Sequence, residues 1–198
     1  MRLRSFLAVF GVVASIVFVA GLPAYVFPAT HTPNEVDAIL VLGPASDSRR
    51  AIAEELMTKQ EISSNLVLSV PEFGNRSAEK WVACNTPSET TTTTCFHADP
   101  FTTLGEARGF SELAQQNGWT SVVVITATTH VTRARLLMER CYDGEISMVS
   151  DDSGLTLGKL AWQYLYQSAG FVKSAFVTTD CPKATLTFHD SNSANNPS

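Results

Sequence analysis

The sequence predicts an α/β protein: a doubly wound, mostly parallel sheet with helices on both faces, preceded by one N-terminal transmembrane helix. Three observations carry that prediction. Short, near-continuous apolar runs alternate with segments of helical periodicity, the pattern of parallel strands buried on both faces and joined by helical crossovers. The 198 residues are 44% hydrophobic and only 17% charged, enough for one good core with little room for a second domain. The opening "MRLRSFLAVFGVVASIVFVAGLPAYVF" sets Arg2 and Arg4 before an uncharged run from Phe6 to Phe27, long enough at about 20 residues to span a bilayer as a helix.

The basic start keeps the N-terminus in the cytoplasm and places the residues beyond Phe27 outside. The apolar run exceeds a signal-peptide core and ends without a clean small-x-small site, so residues 1–27 are expected to stay as an anchor; a cleaved signal peptide would reach the same compartment. Residues 28–35, with two prolines, read as a linker, residues 36–183 as the extracytoplasmic domain, and residues 184–198 as a polar, frayed tail.

Within the domain, "VDAILVLG" at Val36 to Gly43 is a buried strand closed by a glycine. "SDSRRAIAEELMTKQ" comes next as a helix with Ser46 to Ser48 as caps, and "NLVLSV" at Asn65 to Val70 is the second strand. A weaker helix over Ser77 to Cys84, a threonine-rich loop and a brief strand near Cys95 to His97 succeed it. A helix from about Leu104 to Gln116 then leads to "SVVVIT", the third strong strand. "VTRARLLMERC" is helical, "EISMVS" at Glu145 to Ser150 a strand, and "LGKLAWQYLYQSAGFVKSAF" the closing amphipathic helix. The three tryptophans, with Tyr164 and Tyr166, sit among leucines at helical spacing and read as core.

Cys84, Cys95, Cys141 and Cys181 all lie beyond the apolar run, an even count in a compartment where disulfides persist. Cys84 with Cys95 is the most local pairing and closes the loop "NTPSETTTTT"; Cys141 with Cys181 then ties a helix end to the C-terminal segment. The cysteines lack zinc-site spacing and the four histidines are scattered, so no metal is expected. No cofactor is expected either, because the glycines form neither a dinucleotide fingerprint nor a P-loop. The net charge of −5 argues against nucleic acid as a partner.

The chemistry concentrates at strand ends. In "VVVITATTHVTRARLL", His130 and Arg133 are three apart and share a helix face, whereas Arg135 points elsewhere. Cations are disfavoured at a helix N-terminus unless something negative sits there, and a phosphate or carboxylate would take backbone N–H groups, a guanidinium and an imidazole proton together. Arg49 stands past the first strand in the same way, and with Arg133 would form a clamp; Arg50 reads as a surface residue. Thr103 and Glu106 have the T-x-x-E spacing of a capping box, while Glu106 also stands within reach of the His130 and Arg133 face. Gly43, Thr103 and Ser69 join the expected ligand-binding set by their places at the strand ends, with Glu72 a further candidate on position; no residue reads as a nucleophile. The competing reading has His130 cap the helix or satisfy a loop and pairs Arg133 with Asp99, Glu106 or Asp47 as structure.

"DAILVLG" with Arg49 after it, "LVLSV", "TTLGEA" and above all "VVVITATTHVTRARLL" together resemble the YdcF/SanA/ElyC family, bacterial envelope proteins with a domain of unknown function. The resemblance covers roughly Asp37 to Ser150. Thr102 stands where that family often has asparagine, Pro44 where a second glycine is common, and Val70 where glycine tends to come after the serine. The resemblance implies a polar cleft lined by Arg49, Glu106, His130 and Arg133, and, for members with one N-terminal membrane helix, a part in envelope integrity and cell-wall assembly. It leaves two functions open. One is an enzyme on a phosphorylated or nucleotide-like envelope precursor, with the arginines holding the anion, His130 as general acid or base and Glu106 orienting it. The other is a non-catalytic envelope module that binds such an anion or a protein partner, with the His/Arg motif structural.

Overall fold

A computed structural model describes residues 2–71, 84, 90–176, 180–181 and 187–189. It is an α/β fold. Helix α1 (Arg2–Tyr25) precedes β1 (Ala38–Val41), α2 (Asp47–Thr58), β2 (Asn65–Ser69) and β3 (Thr92–His97). Then come α3 (Thr103–Asn117), β4 (Ser121–Ala127), a 3-10 turn at Thr128–His130, α4 (Val131–Met138), β5 (Glu145–Asp151), α5 (Leu157–Phe176) and β6 (Thr187–His189). Five strands run parallel in the order β5-β4-β1-β2-β3, and β6 adds an antiparallel edge beside β3, so Thr187–His189, expected to lie in a frayed tail, is held instead by backbone pairing with β3. The segment expected to be helical over Ser77 to Cys84 lies outside the described residues except for Cys84, and the threonine-rich stretch is already strand from Thr92.

Alternation along the strands sends side chains to two separate cores. Ala38, Leu40, Val122 and Val124 face Ala107 and Phe110 of α3 and Ala134 and Met138 of α4. Ile39, Val41, Val123 and Ile125 face Ala53 and Leu56 of α2 on the other side. Helices therefore cover both faces, as the uninterrupted apolar runs require. Full burial of a side chain such as Phe110 stabilises by about 1.5–3 kcal/mol. Both disulfides pair as expected, Cys84 with Cys95 and Cys141 with Cys181.

The chain leaves β1 toward one side of the sheet and β4 toward the other. That reversal is a topological switch point, and the crevice it opens lies at the C-terminal ends of these two strands. Helix α1 is long and apolar enough over Ser5–Tyr25 to cross a bilayer. Its last turns pack on the domain: Ala24 O accepts from Thr132 Oγ1 at 2.9 Å, and the Tyr25 hydroxyl meets Ser168 Oγ at 3.0 Å.

Candidate functional site

The crevice holds a cavity of about 730 Å³ between the N-terminus of α3, α4 and α5. Glu106 and Arg133 line it, with Thr102, Thr103 and Gly43 on one side and Tyr166, Gly170 and Lys173 of α5 on the other.

Glu106 is the buried centre, 4% exposed. The expected capping box is not what holds it. Thr102, one residue earlier, caps α3 by accepting from Gly105 N at 3.2 Å, which turns Glu106 inward off the capping position. Its Oε1 accepts from Gly43 N at 2.6 Å. The buried Ser69 hydroxyl has no partner of good hydrogen-bond geometry, yet lies near enough to favour the ionised carboxylate. Burial dominates over Ser69, Gly43, Arg49 and Arg133 and pushes the carboxyl up to about 7. Gly43 is needed here: a Cβ would stand 2.7 Å from the Phe101 ring and 3.0 Å from Glu106 Oε1.

The two arginines flank this carboxyl on unlike terms. Arg49 donates from Nη1 to Leu42 O at 3.2 Å and Pro44 O at 3.3 Å, and its Nε lies 3.5 Å from Asp151 Oδ2. It is bound into the wall and is not among the residues that line the cavity. Arg133 donates only from Nε, to Gln167 Oε1 at 2.8 Å, and lies against Gly170, where a Cβ would come within 3.0 Å of that nitrogen. Its terminal nitrogens make no hydrogen bond among the described residues, and none of the expected ion pairs with Asp99, Glu106 or Asp47 forms. Burial disfavours the charged form of both guanidiniums, opposed at Arg49 by Asp151 and Glu106 and at Arg133 by Tyr166 and Glu106.

His130 is not among the residues that line the cavity. Gln167 Oε1, already an acceptor for Arg133, is 3.4 Å from Nδ1, which therefore carries the proton, and Nε2 faces the Thr103 hydroxyl at 3.2 Å. Burial, then the Arg133 charge, pushes the imidazole down to about 3, so it is neutral. Its ring is held by Thr103 and Gln167, and no hydrogen bond joins it to Glu106. Although His130 begins α4, its side chain caps nothing.

Arg50 pairs with Asp47 at the surface, and Arg135 reaches Ile146 O and Ala29 O at 3.2 Å each, far from the cleft. Glu72 lies outside the described residues. The aromatic residues of α5 are not core: Trp162 is 65% and Tyr166 54% exposed, and Tyr164 stacks on Phe18 of α1. Trp119 packs on the core beside Phe110, while Trp81 lies outside the described residues.

Gln167, 4% exposed, links His130 to Arg133 and escapes sequence reasoning, because its only signal there is a polar residue in an amphipathic helix. Among the described residues no group of three His, Cys, Asp or Glu side chains gathers that could hold a metal ion. No family model matches the chain, and no curated protein matches it.

Proposed function

We propose that this chain is a membrane-anchored, extracytoplasmic α/β protein of the YdcF/SanA/ElyC type that binds a phosphorylated or nucleotide-like anion in the cleft at the strand C-terminal edge, in the service of cell-envelope or cell-wall metabolism. The observation that carries the reading is Arg133. A guanidinium fixed by its Nε, with both terminal nitrogens unbonded among the described residues and lining a cavity, supports two-point recognition of a phosphate or carboxylate. Lys173 and the first N–H groups of α3 add positive potential on either side. A Glu106 carboxyl near 7 is half protonated at neutral pH, so it tolerates an incoming anion and can exchange a proton with it.

The acid–base group at this site is thus Glu106 rather than His130. The partnered, neutral imidazole favours a structural histidine, which keeps alive the second reading, a non-catalytic envelope module whose ligand or protein partner is bound without turnover. A thermal-shift screen of the full chain in detergent against phosphate, pyrophosphate and nucleotides tests the binding reading. At a hundredfold excess over Kd a true ligand raises Tm by about 5 °C or more, and Arg133→Ala abolishes the shift. If none of these anions shifts wild type, the anion reading fails. Turnover of a bound anion that Glu106→Gln removes while affinity remains would select the enzyme over the module.

A further inference from the structure

Helix α5 is amphipathic the wrong way round for a helix on a soluble domain. Its buried residues are polar, Gln167 and Ser174, both turned toward the site. Its outward stripe is apolar: Trp162 65%, Leu165 70%, Val172 61% and Phe176 80% exposed, spaced three, seven and four apart on one face. Its charges are Lys159 and Lys173, toward the two ends, and it has no acidic residue.

What covers the stripe is indicated by its neighbour. Tyr164 stacks on Phe18 of α1 with ring centroids 5.3 Å apart, donates to Phe18 O at 2.8 Å, and meets Tyr25 edge-on at 4.7 Å. Phe171 lies 6.0 Å from Tyr25. Helix α5 is therefore joined to α1 between Phe18 and Tyr25, the last two turns of a 21-residue apolar segment whose earlier turns stay exposed. Those eight residues span about 10 Å along the helix axis, comparable to the roughly 5–10 Å to which an interfacial helix sinks below the headgroups. Whatever surrounds α1 at that depth also meets α5.

We infer that α5 is an interfacial membrane helix, with Trp162, Leu165, Val172 and Phe176 seated in the outer-leaflet headgroup and acyl boundary beside α1. The inference rests on α1 being the membrane anchor. Tryptophan suits that depth, having an apolar body and one polar N–H, and lysines toward the helix ends extend their stems to anionic headgroups. Because α5 also supplies Tyr166, Gly170 and Lys173 to the cavity wall, the cleft is held against the bilayer surface, and its ligand is an anion presented there.

The test uses the full chain in vesicles of phosphatidylcholine and phosphatidylglycerol, with and without bromine on the acyl chains. The tryptophan emission of wild type minus that of Trp162→Phe isolates the signal of an exposed residue whose replacement leaves the core untouched. Seating in the bilayer predicts that brominated chains quench this signal by about half or more, while aqueous iodide quenches it little. Iodide quenching without bromolipid quenching would overturn the inference. So would protection from both quenchers that grows with protein density, which would place a second copy on the stripe. Flotation of the same vesicles separates the two failures: a chain that does not float refutes the anchor and with it the seating of α5, whereas a floating chain with Trp162 in water refutes the seating alone.

Discussion

Arg49 and Arg133 stand on either side of Glu106, each just past the end of a parallel strand, and are held in opposite ways. Arg49 commits its hydrogen bonds to two carbonyls and leans on Asp151, so its charge organises the wall. Arg133 is fixed by a single bond from Nε and leaves its fork unbonded among the described residues, so its charge is available to a ligand. Two cations in the same topological position thus serve different ends, and the difference lies in how many donors the protein has already used.

The largest effect should come from removing the group both share. Glu106→Ala leaves the guanidiniums without their common counter-charge and Gly43 N without its acceptor, and should cost about 3–5 kcal/mol in urea denaturation. A loss below about 1 kcal/mol would show that neither arginine depends on the carboxyl.

The pH dependence sharpens the same point. Glu106 is pushed up from 4.5 to about 7, so the native state holds a proton that the unfolded chain has released, and stability falls as pH rises through that window. The total is about 3 kcal/mol. His130, pushed down from 6.5 to about 3, has the opposite sign: the unfolded chain takes up the proton first, and stability is lost as pH falls below 6.5. The two slopes oppose each other between 4.5 and 6.5. Glu106→Gln removes the first alone, so between pH 4 and pH 8 the variant should gain about 3 kcal/mol relative to wild type. Parallel curves would mean that Glu106 ionises in the fold as readily as in the unfolded chain.

Swapping each arginine for lysine then tests the contrast directly. Arg49→Lys should cost about 1–2 kcal/mol of stability through the lost carbonyl bonds, with anion affinity held within about threefold. Arg133→Lys should leave stability within about 1 kcal/mol and weaken the anion about tenfold, because an ammonium cannot reproduce the two-point fork. Melting curves with and without pyrophosphate read both, and the reverse pattern would exchange the roles of the two residues.

The smallest expected effect is the most selective. In Gly170→Ala the new methyl would stand 3.0 Å from Arg133 Nε and 3.1 Å from its Cδ. Affinity should fall about threefold while the helix gains up to about 1 kcal/mol from propensity. Lower affinity with unchanged or higher Tm would locate the defect in the aim of Arg133.

Much of the fold is legible because it is written in local patterns. The run from Leu157 to Phe176 reads as a helix and is one, and the strands at Ala38–Val41, Ser121–Ala127 and Glu145–Asp151 coincide with apolar runs bounded by turn residues. The site is legible in part: strand ends in a doubly wound sheet converge, so Arg49, Glu106 and Arg133 can be assigned to one edge. Gln167 cannot, since it arrives from 34 residues beyond Arg133 on a helix whose polar positions look solvated. The capping residue is displaced by one position from the sequence reading because Thr102 and Thr103 are both competent caps, and only the backbone places Thr102 at the N-cap with extended dihedrals.

The sequence by itself determined the α/β class, the order of most of the elements before the C-terminal segment, and the presence of one long apolar N-terminal helix. These depend on periodicity, run length and spacing, which are properties of neighbours along the chain. Only the tertiary structure decided that Glu106 faces inward with a carboxyl near 7, that His130 is neutral and held between Thr103 and Gln167, that Arg133 rather than Arg49 keeps an open fork, and that α5 shows its apolar stripe outward. Each of these is set by groups meeting through space, where burial and the number of donors already engaged fix a charge and its availability, and no local pattern encodes which partners will arrive.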